Sequence, residues 1–241
     1  MGFNHATLHG STTYTTYANW ALNQHERDDD FFSKIIFSDE ANFELGGCVN
    51  KQNCRIWGSE NPQQYVEQPT KPAKLNVWCG LFAGGVIGPF FMENDEGQTV
   101  TTTAPRYRTM LEECLWPELE DVDVDNMWFQ QDGASSHVTA ENINFLRTKF
   151  PGRVISRNGD VNWPPRSCDI TPLDFFLWGY LKDRVYANNP QTLRQLKTNI
   201  RRVIGQIPAE MFQNVVKNMA RRMAFVIESG GGHLNQIIFH S

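Results

Sequence analysis

Short apolar runs and alternations come early in the chain, and 3.6-residue periods come late. Lys34-Ile35-Ile36-Phe37-Ser38 is a compact apolar run that reads as a strand and delivers Asp39 at its end. Further strands are predicted over 42–45, closed by a turn at Gly46-Gly47, and over 54–57, 75–82 and 86–92, with Gly and Pro clusters as separators. Residues 106–119 place Tyr107, Met110, Leu111, Cys114 and Leu115 at helical spacing, stopped near Pro117. A second strong strand, 126–131, ends at Asp132-Gly133. A helix follows over 139–149 with Ile143, Leu146 and Phe150 on one face, then a short strand over 154–156.

Asn162-Trp163-Pro164-Pro165 cannot continue regular structure, because each proline lacks a donor and restricts the residue before it. A loop must cross here. Beyond it, Thr171-Pro172-Leu173-Asp174 supplies an N-cap residue, a proline at the first helical position and an acid in the first turn, so Asp174 opens a helix running over 175–185. Helices over about 193–205 and 208–229 close the domain, with Gly230-Gly231-Gly232 as terminator. At the other end, residues 1–17 are rich in Thr, Gly and His without a clear apolar period and read as irregular. A short helix over 20–25 is then broken by Arg27-Asp28-Asp29-Asp30. The organisation is an irregular segment over 1–19 and one domain over 20–241, an α/β fold with helices packed on a mixed sheet.

Composition supports one globular core: 40% of the 241 residues are hydrophobic and 20% charged, with sixteen Phe and seven Trp. No apolar run approaches the ~18 residues needed to span a bilayer, and the start lacks the basic-then-apolar layout of a secretory signal, so a soluble intracellular protein is expected. Five cysteines without a Cys-x-x-Cys pair argue for buried free thiols over disulfides or zinc. The net charge of −5 opposes simple adhesion to a polyanion. Its distribution changes the picture, because residues 175–223 hold nine Lys and Arg against only Asp183 and Glu210. A basic helical end on an acidic body suits polyanion binding as well as it suits a solvated helix face.

The acids carry the candidate chemistry. Asp39 and Asp132 each sit where an apolar strand runs out, and Asp174 at a helix start past the proline loop, so all three can converge at one edge of the sheet. Such a cluster suits Mg²⁺, a hard cation that takes carboxylate oxygens and keeps positions for water or substrate phosphate. Two ions there would activate the attacking oxygen and stabilise the leaving one. Taken singly, each acid also has a plain structural explanation: a strand-end turn residue for Asp39, a turn pair for Asp132-Gly133, and a capping box with Thr171 for Asp174. Periodicity alone names no enzyme.

Read as motifs, the same positions are more specific. Phe37-Ser38-Asp39-Glu40, then the block from Trp128 to His137 (Trp-Phe-Gln-Gln-Asp-Gly-Ala-Ser-Ser-His), then the block from Pro164 to Trp178 around Thr171-Pro172-Leu173-Asp174, closely resemble the three catalytic blocks of mariner-type DNA transposases. These belong to the Asp-Asp-Asp/Glu superfamily with a ribonuclease H-like fold. Between Asp39 and Asp132 lie 92 residues and between Asp132 and Asp174 lie 41, which looks like the long-spacer, all-aspartate branch. Residues 49–58, 74–80, 107–119 and 230–240 resemble the family's connecting segments, so the likeness covers roughly 20–241.

The resemblance implies cut-and-paste transposition by Asp39, Asp132 and Asp174 holding two Mg²⁺ ions, with Mn²⁺ able to substitute. It also implies DNA as partner (transposon terminal repeats and target), a homodimer on that DNA, and action in the nucleus. Asp169, with 36 residues between it and Asp132, rivals Asp174 as third acid. The family places its catalytic acid just after the Thr/Ala-Pro pair, and a helix-borne acid has a fixed direction, so Asp174 is chosen. Glu40, beside Asp39, reads either as support for the site or as a surface acid, and the second is favoured because neighbouring strand residues point to opposite faces. His137 reads as a phosphate contact or a brace for its loop. Trp57, Trp163 and Arg166 could stack on bases or bind phosphate, although aromatics near prolines are more often core. Family members carry two helix-turn-helix units ahead of the catalytic domain, and the stretch before Asp39 is too short for them, so a truncated or partial product is expected. A non-catalytic, domesticated DNA- or protein-binding relic, or a ribonuclease H-like nuclease with another substrate, would share these features.

Overall fold

A computed structural model of the chain describes residues 5–46, 72–120 and 122–232. Its centre is one five-stranded mixed sheet in the order β3-β2-β1-β4-β5. β1 (Ile35–Glu44), β2 (Lys74–Phe82) and β3 (Gly85–Phe91) form an antiparallel meander. β4 (Trp128–Gln130) and β5 (Val154–Ile155) add on the other side of β1 in parallel. The fold class expected from the sequence is therefore observed, a ribonuclease H-like sheet flanked by helices. The strand expected over 54–57 lies outside the described residues.

Alternation along β1 divides the interior into two cores. Ile35, Phe37, Ala41 and Phe43 face one side, joined by Val77 and Cys79 of β2 and by the later helices: α5 (Trp178–Arg184), α6 (Leu193–Ile204) and α7 (Ala209–Glu228). Ile36 faces the other, with Trp78, Phe129 and Val154. There they meet α2 (Ala104–Met110), which runs on through a π-helical turn (Leu111–Leu115) into α3 (Trp116–Glu118), and α4 (Ala140–Lys149). Each fully buried Phe, Ile or Leu contributes ~1.5–3 kcal/mol, so the sheet register is fixed by what each face buries. At the far end, α7 stops where Gly230 and Gly231 adopt φ of 62° and 84°, the left-handed conformation that glycine adopts at least cost.

The N-terminal reading needs correction. Residues expected to be irregular form α1 (His5–Arg27), which packs on α7. Tyr14, Tyr17, Ala18 and Ala21 are buried at a spacing of three, one and three, which is one helix face. Thr has modest helix propensity, but tertiary packing overrides it: Tyr17 meets the Trp163 ring edge-on at 4.7 Å, and Trp20 meets Trp128 at 5.3 Å. Trp163 is thereby core, as one of its two readings held. Of the cysteines, Cys79 is a buried free thiol, whereas Cys114 is half-buried and Cys168 exposed.

Candidate active site

Asp39 does not end its strand. β1 continues to Glu44, with Asp39 paired to Cys79 of β2, because the antiparallel ladder outlasts the parallel one. On the β4 side, pairing stops at Phe37↔Gln130. The two strands are pinned at that stop: the Ser38 hydroxyl donates to the Gln130 carbonyl (2.7 Å), and the Ser38 N–H to the Gln130 side-chain oxygen (3.3 Å). Just past this clasp β4 ends, so Asp39 and Asp132 emerge side by side at the sheet's edge.

Asp174 arrives from below. The helix following the proline loop opens with a π-helical turn (Leu173–Leu177) before α5, a wide turn of the kind that recurs at functional sites. Asp174 is in that turn's first residues, while Leu173 and Leu177 anchor it in the core. The Thr171 hydroxyl donates to the Ser167 carbonyl (3.0 Å), tying the turn to the loop before it. Asp39, Asp132 and Asp174 line one cleft of about 500 Å³ together with Trp163, Arg166 and Arg157. Asp169 is not among the residues lining it; its charge acts on Tyr14 and Arg222, and its carbonyl accepts from the Arg222 guanidinium (2.7 Å).

Electrostatics distinguish the three acids. Burial, then repulsion by Asp174, pushes the Asp39 carboxyl up to about 7, against the stabilising indole N–H of Trp178, which donates to Asp39 Oδ2 at 2.8 Å. Desolvation and the Asp132 charge likewise raise Asp174, opposed by Lys182. For Asp132, desolvation is outweighed by a hydrogen bond and charge from His137 and by the Ala134 N–H, which hold it below the usual carboxylate range. His137 loses by burial but gains more from carboxylates on both sides, at 2.6 Å (Asp132) and 3.1 Å (Glu40), and is raised to about 9.

Glu40 is therefore no surface acid. Its side chain is 18% exposed, and it accepts from Thr102 (3.0 Å) and Asn76 (3.2 Å) as well as meeting His137. Alternation does send it to the face opposite Asp39. The residues after β4 lie beyond the sheet's end, however, and reach both faces: Asp132 also lines a second cleft of about 740 Å³ containing Glu40, Asn76 and Thr102. Trp178, quoted in the third block without a role, is the second side chain whose part was not foreseen. Its partner Asp39 is 139 residues away, and no local pattern signals such a contact. Trp57 lies outside the described residues, and Arg166 is exposed on the cleft.

Among the described residues, no three acidic, His or Cys side chains are gathered tightly enough to enclose a metal ion. The aspartates instead ring a cleft and sense one another's charge, as unneutralised like charges do. Their donor chemistry is carboxylate oxygen in a partly desolvated site. Such residues fit a hard divalent cation.

The chain is similar in sequence and fold to known transposases. Over 209 residues, 85% of this chain and 58% of the relative, the sequence is 28% identical to the transposable element Tc3 transposase of Caenorhabditis elegans. No family model matches this chain. Its fold superposes on the Mos1 transposase catalytic domain, in a structure with raltegravir and Mn, with a TM-score of 0.73 at 15% identity, covering 97% of this chain and 99% of that one. Against Mos1 transposase in a paired-end complex with the left transposon end, the TM-score is 0.76 at 16% identity, covering 97% of this chain and 65% of that one. This chain thus shares the fold of the Mos1 catalytic domain over nearly its whole length and spans about three fifths of the Tc3 relative.

Proposed function

We propose that this chain is the catalytic core of a cut-and-paste DNA transposase, cleaving phosphodiesters at transposon ends and joining the freed 3′ hydroxyl to target DNA. One observation carries the reading: Asp39, Asp132 and Asp174, from β1, the end of β4 and the π turn, line a single cleft where burial and the Asp174 charge push the Asp39 carboxyl up to about 7. The three would hold two Mg²⁺ ions, or Mn²⁺ in their place. The presence of Mn and Mg in Mos1 structures supports divalent ions of this type. When bound, the ions would supply an activated attacking oxygen and charge to stabilise the leaving one. The protein's own part is position. The Ser38–Gln130 clasp fixes the separation of the two strand-borne acids, the Trp178 indole and His137 imidazole orient them, and the Leu173 and Leu177 anchors set the third.

DNA as substrate and partner is supported by the Mos1 paired-end complex and by the excess of basic residues in 175–223, where Arg194, Arg201, Arg202 and Lys217 are exposed. We extend the reading to a homodimer on DNA acting in the nucleus. The test is strand cleavage and joining by the purified chain, with Mg²⁺ or Mn²⁺, on duplexes carrying candidate terminal repeats taken from the flanks of its gene. Metal-dependent nicking that disappears in Asp132→Ala is expected. Full metal-dependent cleavage by Asp132→Ala overturns the assignment, and cleavage confined to an RNA·DNA hybrid replaces it with a ribonuclease.

A further inference from the structure

We propose that Glu40 and His137 form a positioning chain that orients the Asp132 carboxylate for metal binding, without themselves touching metal or DNA. The proposal rests on the reading of Asp132 as a metal ligand. His137 Nδ1 lies 2.6 Å from Asp132 Oδ1, and His137 Nε2 lies 3.1 Å from Glu40 Oε1. A chain of carboxylate, imidazole and carboxylate thus crosses from the even-numbered face of β1 to the end of β4. Its outer end is fixed. Glu40 Oε2 accepts from the Thr102 hydroxyl at 3.0 Å and the Asn76 amide at 3.2 Å, and that amide lies 3.1 Å from the Thr102 hydroxyl.

The middle of the chain is held just as firmly. The imidazole, 7% exposed, stacks on the Tyr107 ring at 4.0 Å with 26° between planes. Tyr107 donates its hydroxyl to Gln131 Oε1 at 2.8 Å, and Gln131 Nε2 donates to the His137 carbonyl at 3.1 Å and lies 3.1 Å from the Ser156 hydroxyl. Gln131 is fully buried and adjoins Asp132 in sequence, so ring, backbone and carboxylate form one braced unit. The Ala134 N–H donates to the same Asp132 oxygen, Oδ1, at 3.0 Å. Two donors on Oδ1 leave Oδ2 as the oxygen for a cation and stop the carboxylate from rotating. Hydrogen bonding that orients a ligand in this way typically changes metal affinity ~10–100-fold. A brace meant only for the loop would need the Ala134 contact and the Gln131 bonds, but no buried acid on the imidazole's far side.

Titration of the chain with Mn²⁺ alone, following free Mn²⁺ by its electron paramagnetic resonance signal, tests this, with thermal melting in the absence of metal as the fold control. Expected is a weakening of Mn²⁺ affinity by ~10–100-fold in His137→Gln and, more mildly, in Glu40→Gln. His137→Asn, whose amide can occupy the place of Nδ1, should recover part of the loss. Wild-type affinity in both His137→Gln and Glu40→Gln, alongside lost affinity in Asp132→Ala, overturns the positioning chain and leaves the ligand assignment standing. Wild-type affinity in Asp132→Ala overturns both.

Discussion

Asp39 on β1 and Asp132 just past the end of the neighbouring β4 lie side by side, yet their surroundings treat charge in opposite ways. Asp132 faces an imidazole held between two carboxylates and sits below the usual carboxylate range. Asp39, on the apolar face shared with α5, has only neutral donors, the Trp178 indole and the Glu40 backbone, and is driven up to about 7 by burial and by Asp174. Both are carboxylates at the same sheet edge, so the difference comes from the side chains that the two cores present. One acid has its countercharge built into the fold. The other has no countercharge of its own and ionises only near neutral pH, so a cation beside it would favour its anionic form.

The sharpest way to break the comparison is to remove each acid. Asp39→Ala and Asp132→Ala should each lower metal-dependent DNA cleavage by at least ~10³-fold, since position and charge are the protein's whole contribution to such a reaction. Single-turnover cleavage of a labelled duplex measures it, and a loss in only one variant would make that acid alone essential. Trp178→Phe is gentler. It keeps the ring packing but removes the donor to Asp39 Oδ2, and the cleavage rate should fall ~10–100-fold with little change in Tm.

Stability without metal should move in the other direction. Folded Asp39 keeps its proton to about pH 7, whereas the unfolded chain releases it near 3.8, so between those values the folded state binds more protons. That contribution to stability is complete below about pH 4 and is lost as pH rises through about 7. Asp39→Asn removes the ionisable group and should raise the metal-free Tm at pH 8, by ~2–4 °C for each kcal/mol recovered. Melting curves of the two proteins at pH 4 and pH 8 check it: their Tm difference should grow with pH, and a difference independent of pH would mean that folding leaves the Asp39 carboxyl unshifted.

What was legible in the chain follows the same division. Ile35-Ile36-Phe37 and Trp128-Phe129 announce their strands because burial on both faces leaves near-continuous apolar runs. The acids following those runs were found for that reason. Asp39 nonetheless sits mid-strand, since a strand can end against one neighbour and continue against the other, which a one-dimensional pattern cannot express. α1 was missed because its buried face is made of Tyr14, Tyr17, Ala18 and Ala21 among threonines, a pattern apolar in packing but weak in composition. Glu40 was set aside by a correct rule applied to a single strand. The rule fails at the sheet's end, where the turn carrying His137 reaches the other face.

The smallest predicted effect separates the two candidates for the third acid. Asp169 and Asp174 are five residues apart, but the π turn sends them to different neighbours. Asp174 lines the cleft with Asp39 and raises that acid's pKa, whereas Asp169 lies off the cleft, its charge bearing on Tyr14 and Arg222 and, as the last of several causes, on Asp174. Arg222 in turn lies over the Phe175 ring at 3.5 Å, so this side of the loop serves to dock α7 and α1. Asp174→Asn should therefore abolish metal-dependent cleavage, while Asp169→Asn should leave it within a few-fold and instead lower Tm slightly, by the ~0–1 kcal/mol typical of a partly exposed charge contact. The reverse pattern, with activity lost in Asp169→Asn and kept in Asp174→Asn, would show that the loop rearranges when metal binds and that the helix-borne acid is the structural one.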